Sequence, residues 1–445
     1  MKRYALILLA LASASAAHAA EPAAAAVRLT FAQAVNMAAQ QNASVQVASL
    51  RTSQAAAKIT QSRGALLPSV TGQASMTDRT FNLYALGITL PTAPGAAPYP
   101  ALQGPVWDSE ARLKFAQPVF DWSSWQKLRA SRLGLIGARA DQGVSGEVAA
   151  ANAALAYLRA ARAEAVVAAR AEDLRLAEEL QGLAEAQLSA GTAPQIDVTR
   201  ARTQVASTRG ALSVARNQRD RARIDLARAL GLEPSAAIAL SDTLDATLGA
   251  SEAPGEAAAA VAFALDHRED LRAEQARMQR ARADRSATAA ERLPRVDASL
   301  DWGLSGEHYG DAISTRTWAL AVTVPLVDGF RREGKLAEQA GLVRESEVRE
   351  KDVRAQVEAE VTGALLDLAS GQEQQQVATE RLALALDEIA QARERFVSGV
   401  AGNIEVINAQ SSLVRARDAD IDARFAVASS RTALARAAGV ARRMH

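Results

Sequence analysis

Enzymes need side chains that move protons, attack carbon or hold metal, and this sequence is poor in several of them. It contains no cysteine, which excludes disulfides, thiolate nucleophiles and a cysteine-borne lipid anchor. Of its four histidines, His18 falls in a segment expected to be removed and His445 is the last residue, leaving His267 and His308 far apart in sequence. No glycine-rich phosphate loop and no metal-ligand spacing occurs, so neither a catalytic centre nor a cofactor is expected. Carboxylates are plentiful, but "HRED" at His267 reads as a solvated helix start. Asp197 and Glu405 stand out by position. Each follows a glycine-containing break, "SAGTAPQIDV" from Ser189 and "VSGVAGNIEV" from Val397, close to a helix N-terminus where the dipole favours a carboxylate.

Those two segments belong to a longer internal repeat. "LPSV" at Leu67 returns as "LPRV" at Leu293, "QPVFD" at Gln117 as "VPLVD" at Val324, and "LARALG" at Leu226 as "LARAAG" at Leu434. The first copy carries extra residues between its two prolines. They include "PTAPGAAPYP" from Pro91, which proline keeps out of helix and central strand, so it is an exposed loop. In the second copy "GLSGEHYGDAIS" from Gly303 is the shorter equivalent.

Around each loop the apolar residues alternate with polar ones. Trp318, Leu320, Val322 and Val324 face one way and Thr317, Ala319, Ala321 and Thr323 the other; Val296, Ala298, Leu300 and Trp302 are set against Asp297, Ser299 and Asp301. Leu113 and Phe115 against Arg112 and Lys114 show the same pattern more loosely. Four strands of roughly ten residues are expected, a length that crosses a bilayer when tilted. Trp107, Trp122, Trp125, Trp302 and Trp318 all lie in or beside them, with Tyr84, Tyr99 and Tyr309 in the loops, as at a bilayer interface.

The remainder is helix of unusual length. No proline interrupts residues 122–188 or 329–396, runs that would each reach about 100 Å. Each returns in a helix with seven-residue spacing: Val198, Val205, Leu212 and Leu226 in one, Val406, Leu413, Val427 and Leu434 in the other. Small partners such as Ala201, Ala215, Ala409 and Ala416 allow close neighbours on several faces, as in a wall of helices.

The domain organisation expected is a secretory signal at 1–20, a first repeat at 21–231, a linker or equatorial segment at 232–256 and a second repeat at 257–445. Strands are placed at about 68–78, 109–120, 294–303 and 315–326, and long helices at 122–188, 195–230, 329–396 and 403–438. The formal charge of +1 offers no field for nucleic acid. Four strands cannot close a membrane barrel, since the smallest need about eight, so the chain must oligomerise; three copies would supply twelve. A periplasmic coiled-coil adaptor or scaffold is the alternative. It accounts for the helices and the signal but not for the alternating strands or the tryptophan clustering.

Two tandem copies, "LP" opening a hairpin, "P-x-x-D" entering a long helix and a glycine-containing tip followed by Asp or Glu and Val resemble the TolC family of outer membrane efflux proteins. The resemblance runs from "LTFAQAV" at Leu29 to Gly439, and "PLVDGFRREGKL" is its most specific stretch. It implies a mainly α fold with a small β part: a homotrimer with a twelve-stranded outer-membrane barrel continued by a periplasmic α-helical barrel. It implies a passive exit duct, without catalysis or cofactor, for drugs, metals or polypeptides in tripartite efflux or type I secretion. The partners are then a periplasmic adaptor and an inner membrane transporter. Gly191, Thr192, Ala193, Gly399, Val400, Ala401 and Gly402 match tips where adaptor hairpins dock, and Asp197 and Glu405 match acids at the periplasmic constriction. The match puts Phe396 where a tyrosine latches the closed state, Ala401 where an arginine does, and Asn408 where a second acid lies.

Overall fold

Two alanine-rich helices of 68 and 67 residues, each about 100 Å long at 1.5 Å per residue, set the length of the molecule. The structure is a computed structural model and describes residues 27–83, 85, 87, 94–95, 100–244, 247–400 and 402–445. The signal expected at 1–20, Tyr84 and Tyr99 of the proline-rich loop, and the tip residue Ala401 lie outside the described residues.

In chain order the elements are β1 (Val27–Leu29), α1 (Phe31–Gln41), α2 (Ala43–Gly64), β2 (Ser69–Asn82), β3 (Leu102–Phe120), α3 (Trp122–Ser189), α4 (Gln195–Leu230), β4 (Ile238–Leu240), α5 (Ala257–His267), α6 (Glu269–Ala290), β5 (Arg295–Gly306), β6 (Ile313–Thr323), α7 (Arg331–Val397) and α8 (Asn403–Ala437). Helix α7 starts two residues later than its proline-free run suggests. Gly329 and Phe330 both have left-handed backbone, at φ 66° and 64°, which a right-handed helix cannot contain. In the first copy Asp121 caps α3 directly, accepting from the Ser124 backbone N–H at 3.1 Å; its counterpart Asp328 instead pairs with Arg332 at 2.7 Å.

The four long strands form one antiparallel sheet in the order β2-β3-β5-β6, and the period of two sorts its faces. One face carries the cross-strand rows Val70–Phe115–Leu300–Trp318 and Gly72–Leu113–Trp302–Arg316. The other carries Thr71–Lys114–Asp301–Thr317 and Gln73–Arg112–Gly303–Thr315, where Arg112 binds Asp301 at 2.7 Å and Lys114 reaches Gln73 at 3.1 Å. Trp318 is 78% exposed and Leu320 62%, so the apolar face has no protein cover within the chain. The tryptophans are not confined to the ends of the sheet. Trp107 lies towards the loop end and Trp122 and Trp125 in the first turn of α3, whereas Trp302 and Trp318 sit within strands.

Below the sheet the long helices are girdled by α1, α2, α5, α6 and the linker. Strand β4, within the linker, pairs in parallel with β1, Val27 opposite Ile238. The Tyr157 ring of α3 is fully buried edge-on to Phe31 at 5.7 Å, and its hydroxyl lies 3.0 Å from both the Leu29 carbonyl oxygen and Asp242. Asp242 also accepts the Phe31 backbone N–H at 2.6 Å, so a single linker carboxylate ties α1 to α3, and the Tyr157 hydroxyl adds β1. Burial, with the Asp242 charge beside it, pushes the Tyr157 hydroxyl well above the usual phenol range.

The "HRED" stretch differs from expectation. Helix α6 does begin at Glu269, but Arg268 is not a solvated residue: it binds Asp270 and Glu360 of α7 at 2.6 Å each, and donates to the Ala437 carbonyl oxygen at 3.1 Å. The tandem architecture explains this, because α6 is pressed between α3 and α7 and Arg268, which caps it, reaches the end of α8. Burial raises the Asp270 carboxyl, but the hydrogen bonds and charge of Arg268 outweigh it and hold the group below the ordinary carboxylate range.

Tyr157→Phe leaves a buried acceptor without its donor. It should cost about 1–3 kcal/mol, seen as a lower apparent melting temperature and faster proteolysis within the linker, with far-ultraviolet circular dichroism unchanged. Asp270 contributes stability above its unfolded pKa of about 4, and loses it as pH falls through the lower folded value. The gap in melting temperature between wild type and Asp270→Asn should therefore be widest at neutral pH and narrow below about pH 4.

Candidate functional site

At the end of the long helices farthest from the sheet, two hairpin tips lie side by side, and the same backbone device builds both. Gly191 and Gly399 are left-handed at φ 75° and 71°. The following residue turns its N–H back to the helix: Thr192 to the Gln187 carbonyl oxygen and Val400 to that of Arg395, each at 2.9 Å. Such a cap satisfies the last carbonyl groups of a helix, and glycine is the residue that enters it without a Cβ clash. Helices α4 and α8 then start after Pro194 and Gly402 in extended backbone. Thr192 is exposed and Ala193 partly so, while Val400, Ile196 and Ile404 are at least half exposed, so each tip offers small and apolar side chains.

Behind the tips, one cluster joins both hairpins: Leu180, Ala184, Val198 and Ala201 pack with Ile389, Phe396, Val406 and Leu413. Two hydrogen bonds cross between them. Gln187 donates to the Phe396 carbonyl oxygen at 3.0 Å, and the buried Asn403 amide donates to the Asp197 carbonyl oxygen at 2.9 Å. Phe396 is only 3% exposed, so its ring is a packing wedge between the hairpins. Asp197 is buried too, 3.5 Å from Arg200. Glu405 is half-buried and paired with Arg395 of α7 at 2.9 Å. Asn408 is exposed three residues on from Glu405, along one face of α8. Glu405 and Asn408 thus share a face, whereas Asp197 lies on the other hairpin.

Farther up the same helices lies a charged knot that the sequence did not suggest. Asp173 of α3 is 1% exposed and accepts from Arg170 at 2.8 Å and from Arg417 of α8 at 2.5 Å, while Arg170 also clasps Asp418 at 2.5 Å. Burial alone would lower Arg170, but its hydrogen bonds to Asp418 and Asp173 prevail and raise it above the usual arginine range. The stretch "AARAEDLRLAEE" reads as a solvated face, and only the approach of "RARDAD" on α8 makes it an interior. The pairing Arg-Asp on both helices was the available signal. Asp420 is likewise 3% exposed at a seven-residue core position, paired with Arg424 at 2.8 Å.

None of this makes a catalytic constellation. His267 stacks on Phe263 at 4.0 Å with its Nδ1 beside the Phe263 carbonyl oxygen, and among the described residues no cluster of three or more His, Asp or Glu could hold a metal ion. What the geometry offers is a long rod with a charged, two-hairpin end and an amphipathic sheet at the other.

That arrangement has known counterparts. The model of the family described as outer membrane efflux protein matches residues 34–232 and 261–440. Protein CyaE of Bordetella pertussis is 26% identical over 266 residues, which spans 59% of this chain and 56% of that protein's length. The outer membrane protein VceC of Vibrio cholerae superposes with a TM-score of 0.75 at 20% identity, over 92% of this chain and 96% of that one. The CmeC outer membrane channel of Campylobacter jejuni gives 0.78 at 15% identity, over 92% and 86%. At these identities the structures share the fold.

Removing the carboxylate of the buried knot, as in Asp173→Ala, takes from Arg417 its carboxylate partner and leaves Arg170 with Asp418 alone between α3 and α8. It should cost about 3–5 kcal/mol, read as a shift of the denaturant midpoint, with a much smaller loss for the exposed Glu172→Ala next to it.

Proposed function

Because this chain belongs to the outer membrane efflux protein family, we propose that it forms the exit duct of a tripartite efflux or type I secretion system. It passively conducts substrate handed over by an inner membrane transporter through a periplasmic adaptor. One observation carries the reading. A sheet with one apolar, uncovered face and one ion-paired face passes at Asp121 straight into a helix about 100 Å long. An apolar exterior suits lipid and a polar interior suits water, so the charged face lines a wet path that continues between the helices.

The sheet has four strands and two open edges, so three chains would close a twelve-stranded barrel. The helical tips, with Gly191, Thr192, Ala193, Gly399, Val400, Ala401 and Gly402, offer the adaptor small side chains and short turns into which a hairpin can settle. Asp197, Glu405, Asn408 and Phe396 form the periplasmic mouth, with different tasks. Glu405 and Asn408 face the path, whereas Phe396 and Asp197 hold the hairpins together from behind. Since each Glu405 is paired with Arg395, three copies make a ring of alternating charge, and its net effect on ions depends on both residues.

Planar-bilayer conductance of the purified protein tests this. Wild type should show discrete channels, Glu405→Ala should lower the preference for cations, and Arg395→Ala should raise it. Channels indifferent to both changes would remove the mouth assignment, and no channels from the folded oligomer, in wild type or in either variant, would overturn the duct.

A further inference from the structure

Ion pairs rivet the two hairpins of one chain together. Between the girdle and the tips, four of them cross from α3 to the second hairpin among the described residues: Arg162–Asp422 at 2.6 Å, Arg170–Asp418 and Asp173–Arg417 at 2.5 Å, and Glu179–Arg393 at 3.5 Å. Asp173 is 1% exposed, so this junction holds a carboxylate that leaves water only with its arginines in place. The internal repeat gives each of these residues a counterpart. Gly191 and Gly399, Val198 and Val406, and Gly231 and Gly439 stand 208 residues apart, and no break in α3 or α7 disturbs that offset along the helices.

In a closed ring the first hairpin of a chain meets its own second hairpin on one side and the second hairpin of another copy on the other. The contact between copies is the contact within the chain with the two repeats exchanged. Moving the four ion pairs across by 208 residues gives Ser370 with Val214, Ala378 with Gly210, Arg381 with Arg209, and Asp387 with Glu185. Two pairs of opposite charge have become neutral, and two have become like charges. Arg381 and Asp387 are exposed and make no ion pair among the described residues, while Arg209 and Glu185 pair only within their own hairpin, with Glu178 at 3.6 Å and Arg202 at 2.9 Å. Apolar groups are left to hold this contact, since Val377 and Leu384 of α7 and Val214 of α4 are each more than half exposed. Of the two hydrogen bonds at the tips, one keeps an amide donor, with Gln195 in the place of Asn403. The other puts Arg395, already paired with Glu405, in the place of Gln187.

We infer that the mouth opens along the seams between copies, and that α3, α4, α7 and α8 of one chain move together as a single body. This rests on the oligomeric duct proposed above and says where that duct parts. Opening along a seam separates like charges and a limited apolar surface. Opening within a chain would pull Asp173 away from its arginines in a place that water does not reach. At the opposite end the barrel keeps the copies together, so the mismatched charges act where the rods are free.

The sequence contains no cysteine, so introduced pairs are the sole thiols. Glu179→Cys with Arg393→Cys spans the junction inside the chain, and Asp387→Cys with Glu185→Cys spans the equivalent place between copies. A short bismaleimide should join the first pair within one chain and the second into covalent multimers. In planar bilayers the link between copies should lower the conductance several-fold, and the link within the chain should leave it near that of the same variant unlinked. The reverse result, or an equal effect of the two links, overturns the inference. A trimer by native mass in which Asp387→Cys with Glu185→Cys gives no multimers also overturns it, because those helices are then not neighbours, and leaves the duct standing. A wild-type oligomer without channels takes down the duct itself and this inference with it. The charges have a test of their own. Arg381→Asp sets a carboxylate against Arg209 and should lower the open fraction several-fold, and Arg381→Asp with Arg209→Asp returns like charges to the seam and should restore it; an open fraction that follows neither change refutes the electrostatic seam.

Discussion

A strand edge in a bilayer has nowhere to put its N–H and C=O groups, and each unsatisfied group costs several kcal/mol. Most of this molecule is organised around that constraint. Its sheet has four strands, too few to close, and leaves β2 and β6 as open edges. Duplication supplies the remedy. Because one junction between repeats already exists inside the chain, a surface that pairs β3 with β5 needs only to be used again between copies. The apolar face of the sheet, the open grooves beside α2 and α7, and the exposed run after β6 follow from the same need.

The helices answer a different demand, that of spanning a long distance without a broad core. Alanine and glycine at recurrent positions let neighbouring helices approach closely, as where Gly137 of α3 meets Ala276 of α6. The largest fully buried side chains, Tyr157, Phe31, Leu158, Leu226 and Leu230, gather instead at the girdle, where the linker, α1 and the chain end converge on the rod. There a polar clamp through Asp242 fixes the linker, and farther along the knot around Asp173 fixes α3 to α8. Such charged contacts are satisfied only in one alignment of the helices, so they set registration as well as adhesion. The tips carry fewer ties of this kind: the two hydrogen bonds through Gln187 and Asn403, and a more exposed ion pair between Arg393 and Glu179 at 3.5 Å, link the hairpins there. A mouth that must admit cargo is better held by a few exchangeable contacts than by a buried network.

Much of this was legible in the residues. The period of two in "TWALAVTVPL" fixed which face of β6 is apolar, and the seven-residue spacing from Val198 to Leu226 and from Val406 to Leu434 identified the buried stripes of α4 and α8. The tip turns were visible because Gly191 and Gly399 have no ready substitute in a left-handed cap. Less visible were features created by contact between distant segments. Arg268 and Asp173 look like surface charges until α7 and α8 arrive beside them, and the parallel pair β1 and β4 joins short segments more than two hundred residues apart. Phe396 looks like a residue at the mouth from its place before the tip, but its helical phase turns it inward. Phe330 is the least foreseeable, since nothing about a bulky aromatic announces left-handed backbone.

The central claim is that this amphipathic sheet closes into a barrel by pairing with copies of itself. The most direct measurement is single-particle electron microscopy of the full chain in lipid nanodiscs, without imposed symmetry. A three-fold particle with a closed twelve-stranded barrel in the disc and a hollow rod about 100 Å long beneath it is the expected result. A rod lying outside the disc, or a sheet left open at β2 and β6, would contradict it.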